Sequence, residues 1–101
     1  MKPLKSYLNP LELKENREKL ASVLREQGFY IRLHGYDYLL MYNNKIICSI
    51  HLLPRLNECY VHVNPLINND NEQLRKVITM LKNISPQTKI YVREFPKVLE
   101  S

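Results

Sequence analysis

The alternation of residue types between Phe29 and Arg93 constrains this chain more than any other feature. Read at period two, it puts six of the seven Tyr and all three His on one parity, and most aliphatic residues on the other. Successive side chains of a strand point to opposite faces of its sheet. The pattern therefore predicts a sheet with one face buried under helices. The other face carries Tyr, His and Arg and stands open to a partner.

Helical signals flank this region. Residues 1–8 read as an extended arm. Asn9-Pro10-Leu11-Glu12 reads as a helix start, with Asn9 as cap, Pro10 at the first helical position and Glu12 closing a capping box. The helix is expected to run to about Gln27 and end at Gly28. Its buried stripe is Leu13, Leu20, Val23 and Leu24, with Ala21 beside it. The turn from Asn16 to Lys19 is wholly polar, so packing is expected at the helix ends. A second helix is expected after Asn68-Asn69-Asp70-Asn71, where Asp70 and Gln73 suit a capping box. Leu74, Val77, Ile78 and Leu81 form its apolar stripe, and Pro86 stops it.

Five strands are expected: Phe29 to His34, Tyr36 to Tyr42, Lys45 to Leu53, Glu58 to Val63 and Lys89 to Phe95. The order α-β-β-β-β-α-β predicts one α+β domain over residues 1–101. Its simplest architecture is a two-layer sandwich, with both helices on one face of a mainly antiparallel five-stranded sheet. Asn43-Asn44 suits a two-residue hairpin turn, because Asn tolerates positive φ. Strict pairing outward from that turn sends Leu39, Met41, Ile46, Cys48, Ile50 and Leu52 toward the helices. Cys59, Val61, Val63, Ile90 and Val92 join them.

The open face is then expected to hold Tyr30, Arg32, His34, Tyr36, Tyr38 and Tyr42 from the first two strands. Ser49, His51, Tyr60, His62, Tyr91 and Arg93 follow from the others, with Leu40, Ile47 and Leu53 among them. Lys45 and Arg55 complete the candidate binding residues. This assignment needs a bulge or an odd-length loop at Gly35-Tyr36, where the first two strands would otherwise clash in parity.

No apolar run approaches the roughly 20 residues that span a bilayer, and no apolar signal region follows the basic N-terminus. The expectation is a cytoplasmic protein without membrane association. Cys48 and Cys59 both fall on apolar-facing parity, as reduced core cysteines would. The net charge of +5 is spread along the chain rather than gathered in one run. Ten Asn with much Lys and Ile is the composition of an AT-rich genome, as in a virus or plasmid.

No catalytic, metal or cofactor motif emerges. His34, His51 and His62 share a parity, but imidazoles on a flat sheet converge on a metal only from neighbouring strands. Ser49 has His51 and His62 within diagonal reach, but Asp37 is the only acid nearby and no oxyanion loop is visible. From Tyr38 to Glu94, the succession of "NNKIICSI", "CYVHVNPL", a helix and "KIYVRE" resembles the middle of a GNAT-type acetyltransferase. That likeness implies a pyrophosphate cradle between the fourth strand and the following helix. Here the turn from Asn64 to Asn71 has no glycine and carries Asp70, which implies an acyltransferase-like fold without a cofactor loop.

The sequence thus predicts a small non-enzymatic binding module with no cofactor. Its partner is a protein, either a second copy of the chain in a homodimer or a larger protein that it adapts or inhibits. The alternative is single-stranded RNA or DNA, with the Tyr face stacking bases and Arg32, Lys45, Arg55 and Arg93 meeting phosphates. The three His could add charge below about pH 6.5 and tune either interaction.

Overall fold

The computed structural model describes residues 9–67 and 71–94. The N-terminal arm, Asp70 and Phe95 lie outside the described residues. The elements are α1 (Lys14–Glu26), β1 (Tyr30–His34), β2 (Asp37–Tyr42), β3 (Lys45–Leu53), β4 (Glu58–Val63), α2 (Glu72–Ile84) and β5 (Lys89–Glu94). This is the expected α+β order. The sheet runs β1-β2-β3-β4-β5, antiparallel except for β4 and β5, which α2 connects in parallel.

Asn9 caps a short 3₁₀ turn, Pro10–Glu12, rather than the long helix itself. Leu13 is extended, and α1 begins only at Lys14. The offset buries Leu11 and leaves Leu13 exposed. It also turns Arg17, in the turn expected to be polar, into the interior. The other end of α1 closes as a Schellman motif, with Gly28 N–H on the Arg25 carbonyl and Phe29 N–H on the Leu24 carbonyl. Gly28 has φ +99°, and a Cβ there would meet the Tyr42 ring at 3.1 Å. Asn71 caps α2 through the Leu74 amide, and Leu74, Val77 and Leu81 are buried as expected.

Both helices cover one face of the sheet, and a single core lies between the layers. Ile31, Cys48, Ile50, Leu52, Cys59, Val61 and Val63 are buried there, as their parity predicts. On β2 the expectation is reversed. Tyr38 is 1% exposed and Leu40 0%, while Leu39 and Met41 face away.

A β-bulge causes the reversal. The turn at Asn43-Asn44 is a two-residue turn, with φ of 53° and 63°, and it pairs Tyr42 with Lys45 and Met41 with Ile46. Leu40 then pairs with Cys48, so Ile47 has no partner on β2. One extra residue swaps every later side chain of β2 to the other face. Ile47 is buried and Ile46 exposed, again the reverse of the expectation. Asn64 fits against this bulge. Its side-chain amide donates to the Ile46 carbonyl at 2.8 Å, and its backbone N–H donates to the Ile47 carbonyl at 3.0 Å.

No bulge is needed at Gly35-Tyr36. His34 pairs directly with Asp37 across a two-residue turn. Gly35 takes φ +62°, the positive first position that suits a Gly-X turn.

A buried polar cluster closes one end of the fold. The Asn9 side-chain amide donates to Asn57 Oδ1 and Thr88 Oγ1, both at 2.8 Å. Its Oδ1 accepts from the Leu11 amide and the Ser85 hydroxyl. Ser85 and Thr88 are joined in turn. The cluster ties the 3₁₀ turn, the β3–β4 loop and the α2–β5 loop together, and no buried side-chain polar atom among the described residues lacks a partner.

Two outcomes test this core. Leu40→Ala should cost about 2–5 kcal/mol in urea unfolding, and Leu39→Ala well under half of that. Equal costs would restore the opposite parity of β2. Burial also pushes the Cys48 thiol up to about 12 and Cys59 up to about 11. Their protonated form is therefore favoured by folding, a contribution intact below the unfolded thiol value near 8.5 and lost as pH rises above it. Stability should fall between about pH 8.5 and 12, less steeply in the Cys48→Ala/Cys59→Ala double variant. Identical slopes would show that the thiols are not buried.

Candidate binding face

The sheet register arranges the open face in rows. One row crosses all five strands: His34, Asp37, His51, Tyr60 and Tyr91. The next is Arg32, Leu39, Ser49, His62 and Arg93. Toward the Asn43-Asn44 turn lie Tyr30, Met41 and Ile46. At the opposite end lie Leu53, Glu58 and Lys89.

Two contacts order the central row. His51 Nδ1 meets Asp37 Oδ1 across neighbouring strands. The rings of Tyr60 and Tyr91 stack at 5.1 Å between centroids and 20° between planes. His62 continues the stack at 6.4 Å from Tyr60. The Arg93 guanidinium lies 5.7 Å from the Tyr60 ring and 5.8 Å from the Tyr91 ring, within range of both. Parallel pairing of β4 with β5 creates this cluster, because it sets Tyr60 beside Tyr91 and His62 beside Arg93.

Of the residues expected on this face, the structure places Tyr30, Arg32, His34, His51, Tyr60, His62, Tyr91 and Arg93 there. Five others lie elsewhere. Tyr38 is a core residue whose hydroxyl donates to the Arg17 carbonyl at 2.7 Å, and burial raises its pKa well above the ordinary phenol value. Tyr42 turns inward onto Phe29, with ring centroids 5.5 Å apart. Tyr36 sits in the β1–β2 turn with the Arg17 guanidinium 4.0 Å above its ring. Lys45 lies with Tyr42 and Ile47 on the helix side. Arg55 belongs to a 3₁₀ turn, Pro54–Leu56, and pairs with Glu12 at 3.0 Å. The first, second and fourth of these moves follow from the bulge. Leu40 and Ile47 leave the face for the same reason.

The same shift brings residues to the face that the sequence reading did not put there: Asp37, Leu39, Met41 and Ile46. Glu58 and Lys89 join them at the far end. The face therefore holds three Lys/Arg, at Arg32, Lys89 and Arg93, against two carboxylates, at Asp37 and Glu58. It is amphipathic and close to charge balance. Two signals could have located β2 correctly. Gly35-Tyr36 has the form of a strict Gly-X turn, and the apolar pair Ile46-Ile47 breaks alternation where the bulge lies.

Asp37 stands between His34 and His51 in its row. Among the described residues, no group of three or more His, Cys, Asp or Glu is placed to hold a metal ion. No helix among them is long and apolar enough to cross a membrane. In the β4–α2 connection, the Leu66 amide donates to the Asn64 side chain and the Ile67 amide to the Asn64 carbonyl. No family model, curated protein or solved structure matches the chain.

The face assignment separates two tyrosines in a stability measurement. Tyr38→Phe removes a buried hydrogen bond and should cost about 0.5–1.5 kcal/mol or more. Tyr60→Phe should change unfolding by less than about 0.5 kcal/mol, as surface changes do. A larger cost at Tyr60 would contradict the placement.

Proposed function

We propose that this chain is a small binding module that docks a protein partner, a second copy of itself included, on the open face of its sheet. The observation that carries this reading is the make-up of the two rows that cross all five strands. They combine the stacked Tyr60–Tyr91 pair, Arg93 and a fixed Asp37–His51 pair with the aliphatic Leu39. Aromatic residues and Arg among interleaved polar groups are the usual material of protein interfaces and of their energetic centres. Near-balanced charge suits a folded protein surface better than a polyanion. Pairing through the β1 edge has less support, because Arg25 already donates to the Ile31 carbonyl there at 3.1 Å.

One observation favours single-stranded nucleic acid. Tyr60, Tyr91 and Arg93 form a compact aromatic and cationic cluster of the kind that stacks bases. Against it, only Arg32 and Arg93 of the four basic residues expected to meet phosphates lie on the face. Asp37 and Glu58 would repel a phosphate backbone. The acyltransferase-like reading has less still behind it, since the Leu66 and Ile67 amides are already spent on Asn64.

Light scattering after size exclusion tests the reading, combined with affinity capture and a mixed single-stranded oligonucleotide at low and moderate salt. The expected result is a dimer or a captured protein, indifferent to the oligonucleotide. Tyr60→Ala should weaken it by roughly tenfold or more, and Leu39→Asp should abolish it with circular dichroism unchanged. A monomer that captures nothing contradicts the proposal. A complex with the oligonucleotide that salt dissociates would replace it with the nucleic-acid reading.

A further inference from the structure

β5 is an edge strand. It pairs with β4 on one side and, among the described residues, with nothing on the other. The Lys89 N–H donates to the Asn57 carbonyl at 2.8 Å, so the polar groups of Lys89 point toward β4. Along a strand, the N–H and C=O of one residue point to one side and those of the next to the other. Tyr91 and Arg93 therefore also point toward β4. Ile90, Val92 and Glu94 point outward, with backbone N–H and C=O groups that no described residue meets.

Such a row is a template for another strand, and sheets commonly block it with proline, a bulge, a charge in mid-strand or a covering element. β5 contains no proline, and its middle residues, Ile90 to Val92, are uncharged. Its register on β4 is unbroken. The helix layer also stops short of it. In one row across the sheet, Tyr38, Ile50 and Val61 are at most 1% exposed, while Val92 at the end of that row is 48% exposed.

We infer that two copies of the chain join through this edge, β5 antiparallel to β5 about a twofold axis at Val92, so that their two sheets become one. The chemistry of the strand selects this register. Opposite residues must share a face, and outward residues must meet outward residues. With Val92 on the axis, it meets its own counterpart, and Ile90 meets Glu94 of the second copy, so every outward residue of β5 is bonded. Tyr91 then lies opposite Arg93 of the second copy on the open face, a cation beside a ring on each side of the axis. Centring on Tyr91 would set Lys89 against Arg93 of the second copy, and centring on Arg93 would set two guanidinium groups together. Centring on Ile90 would leave Glu94 unbonded. The inference goes beyond the docking reading and does not depend on it, because the edge is used and the two open faces are left side by side. So short an edge contact buries less than a standard interface of about 1,600 Å², and association should therefore vary with concentration.

The test is amide hydrogen exchange on the full chain across a dilution series, read beside light scattering. The Ile90, Val92 and Glu94 amides should exchange about tenfold or more slowly at the concentrated end, in step with dimer formation. The Tyr91 and Arg93 amides, turned to β4, should be protected at every dilution. Val92→Pro removes one outward N–H without touching the β4 ladder and should give a monomer. Val92→Lys, at an exposed side chain, sets two cations together on the axis and should do the same. Leu39→Asp, on the open face, should leave this protection intact. Fast exchange of the three amides at every concentration overturns the inference. So does protection that dilution does not change, which would mean that the edge is covered by a segment of the same chain. A dimer that survives Val92→Lys and is lost in Leu39→Asp overturns edge pairing and leaves the docking face standing. An edge dimer that persists in Leu39→Asp while the chain captures no protein would do the converse.

Discussion

Two strands of this sheet have no freedom of face, and the strand between them must satisfy both. β1 alternates Ile31 and Leu33 with Tyr30, Arg32 and His34. β3 alternates Cys48, Ile50 and Leu52 with Ser49 and His51. Placing either strand the other way would bury Arg or His and expose the apolar set. Both hairpins close through two-residue turns. With two such turns, strict pairing cannot give both strands their required face, so one extra residue must enter. It enters at Ile47, and with it β2 buries Tyr38 and Leu40. The chemistry of the open face, the placement of Asp37 beside His51 and the packing of Tyr42 on Phe29 all descend from that residue.

Polar groups inside the fold answer to the same geometry. Once Tyr38 turns inward, its hydroxyl needs a partner, and the Arg17 carbonyl supplies one. Arg17 in turn reaches the end of the preceding 3₁₀ turn and stacks on Tyr36. The Asn9 cluster does comparable work at the loops beside α2. These networks hold the Tyr36 and Pro54 turns in place, and so shape the adjoining edge of the face.

Much of the architecture is legible in the sequence because it rests on local signals. The 13-residue α2 shows a clean stripe, Gly28 marks the Schellman close of α1, and β1, β4 and residues 48–53 of β3 alternate without ambiguity. The element order and the two-layer arrangement follow from these. β2 is different. Tyr38-Leu39-Leu40-Met41-Tyr42 is apolar on both parities, since a tyrosine serves a core or a surface equally well. Its face is decided by the turns and the bulge, not by its own composition. The parallel pairing of β4 with β5, which builds the Tyr60–Tyr91–Arg93 cluster, joins segments about thirty residues apart and leaves no local trace. Arg17 is concealed similarly, because a single buried guanidinium bound to carbonyls looks in sequence like any solvated helix residue.

The most direct test is the register of β2 on β3, read from cross-strand nuclear Overhauser effects in the intact protein. The account predicts proximities that set Leu40 opposite Cys48, Tyr38 opposite Ile50 and Asp37 opposite His51, with Met41 opposite Ile46 and Ile47 unpaired. Proximities that set Leu40 opposite Ile47 and Leu39 opposite Cys48 would contradict it, return Tyr38 and Tyr42 to the open face, and remove the arrangement from which the docking face is read.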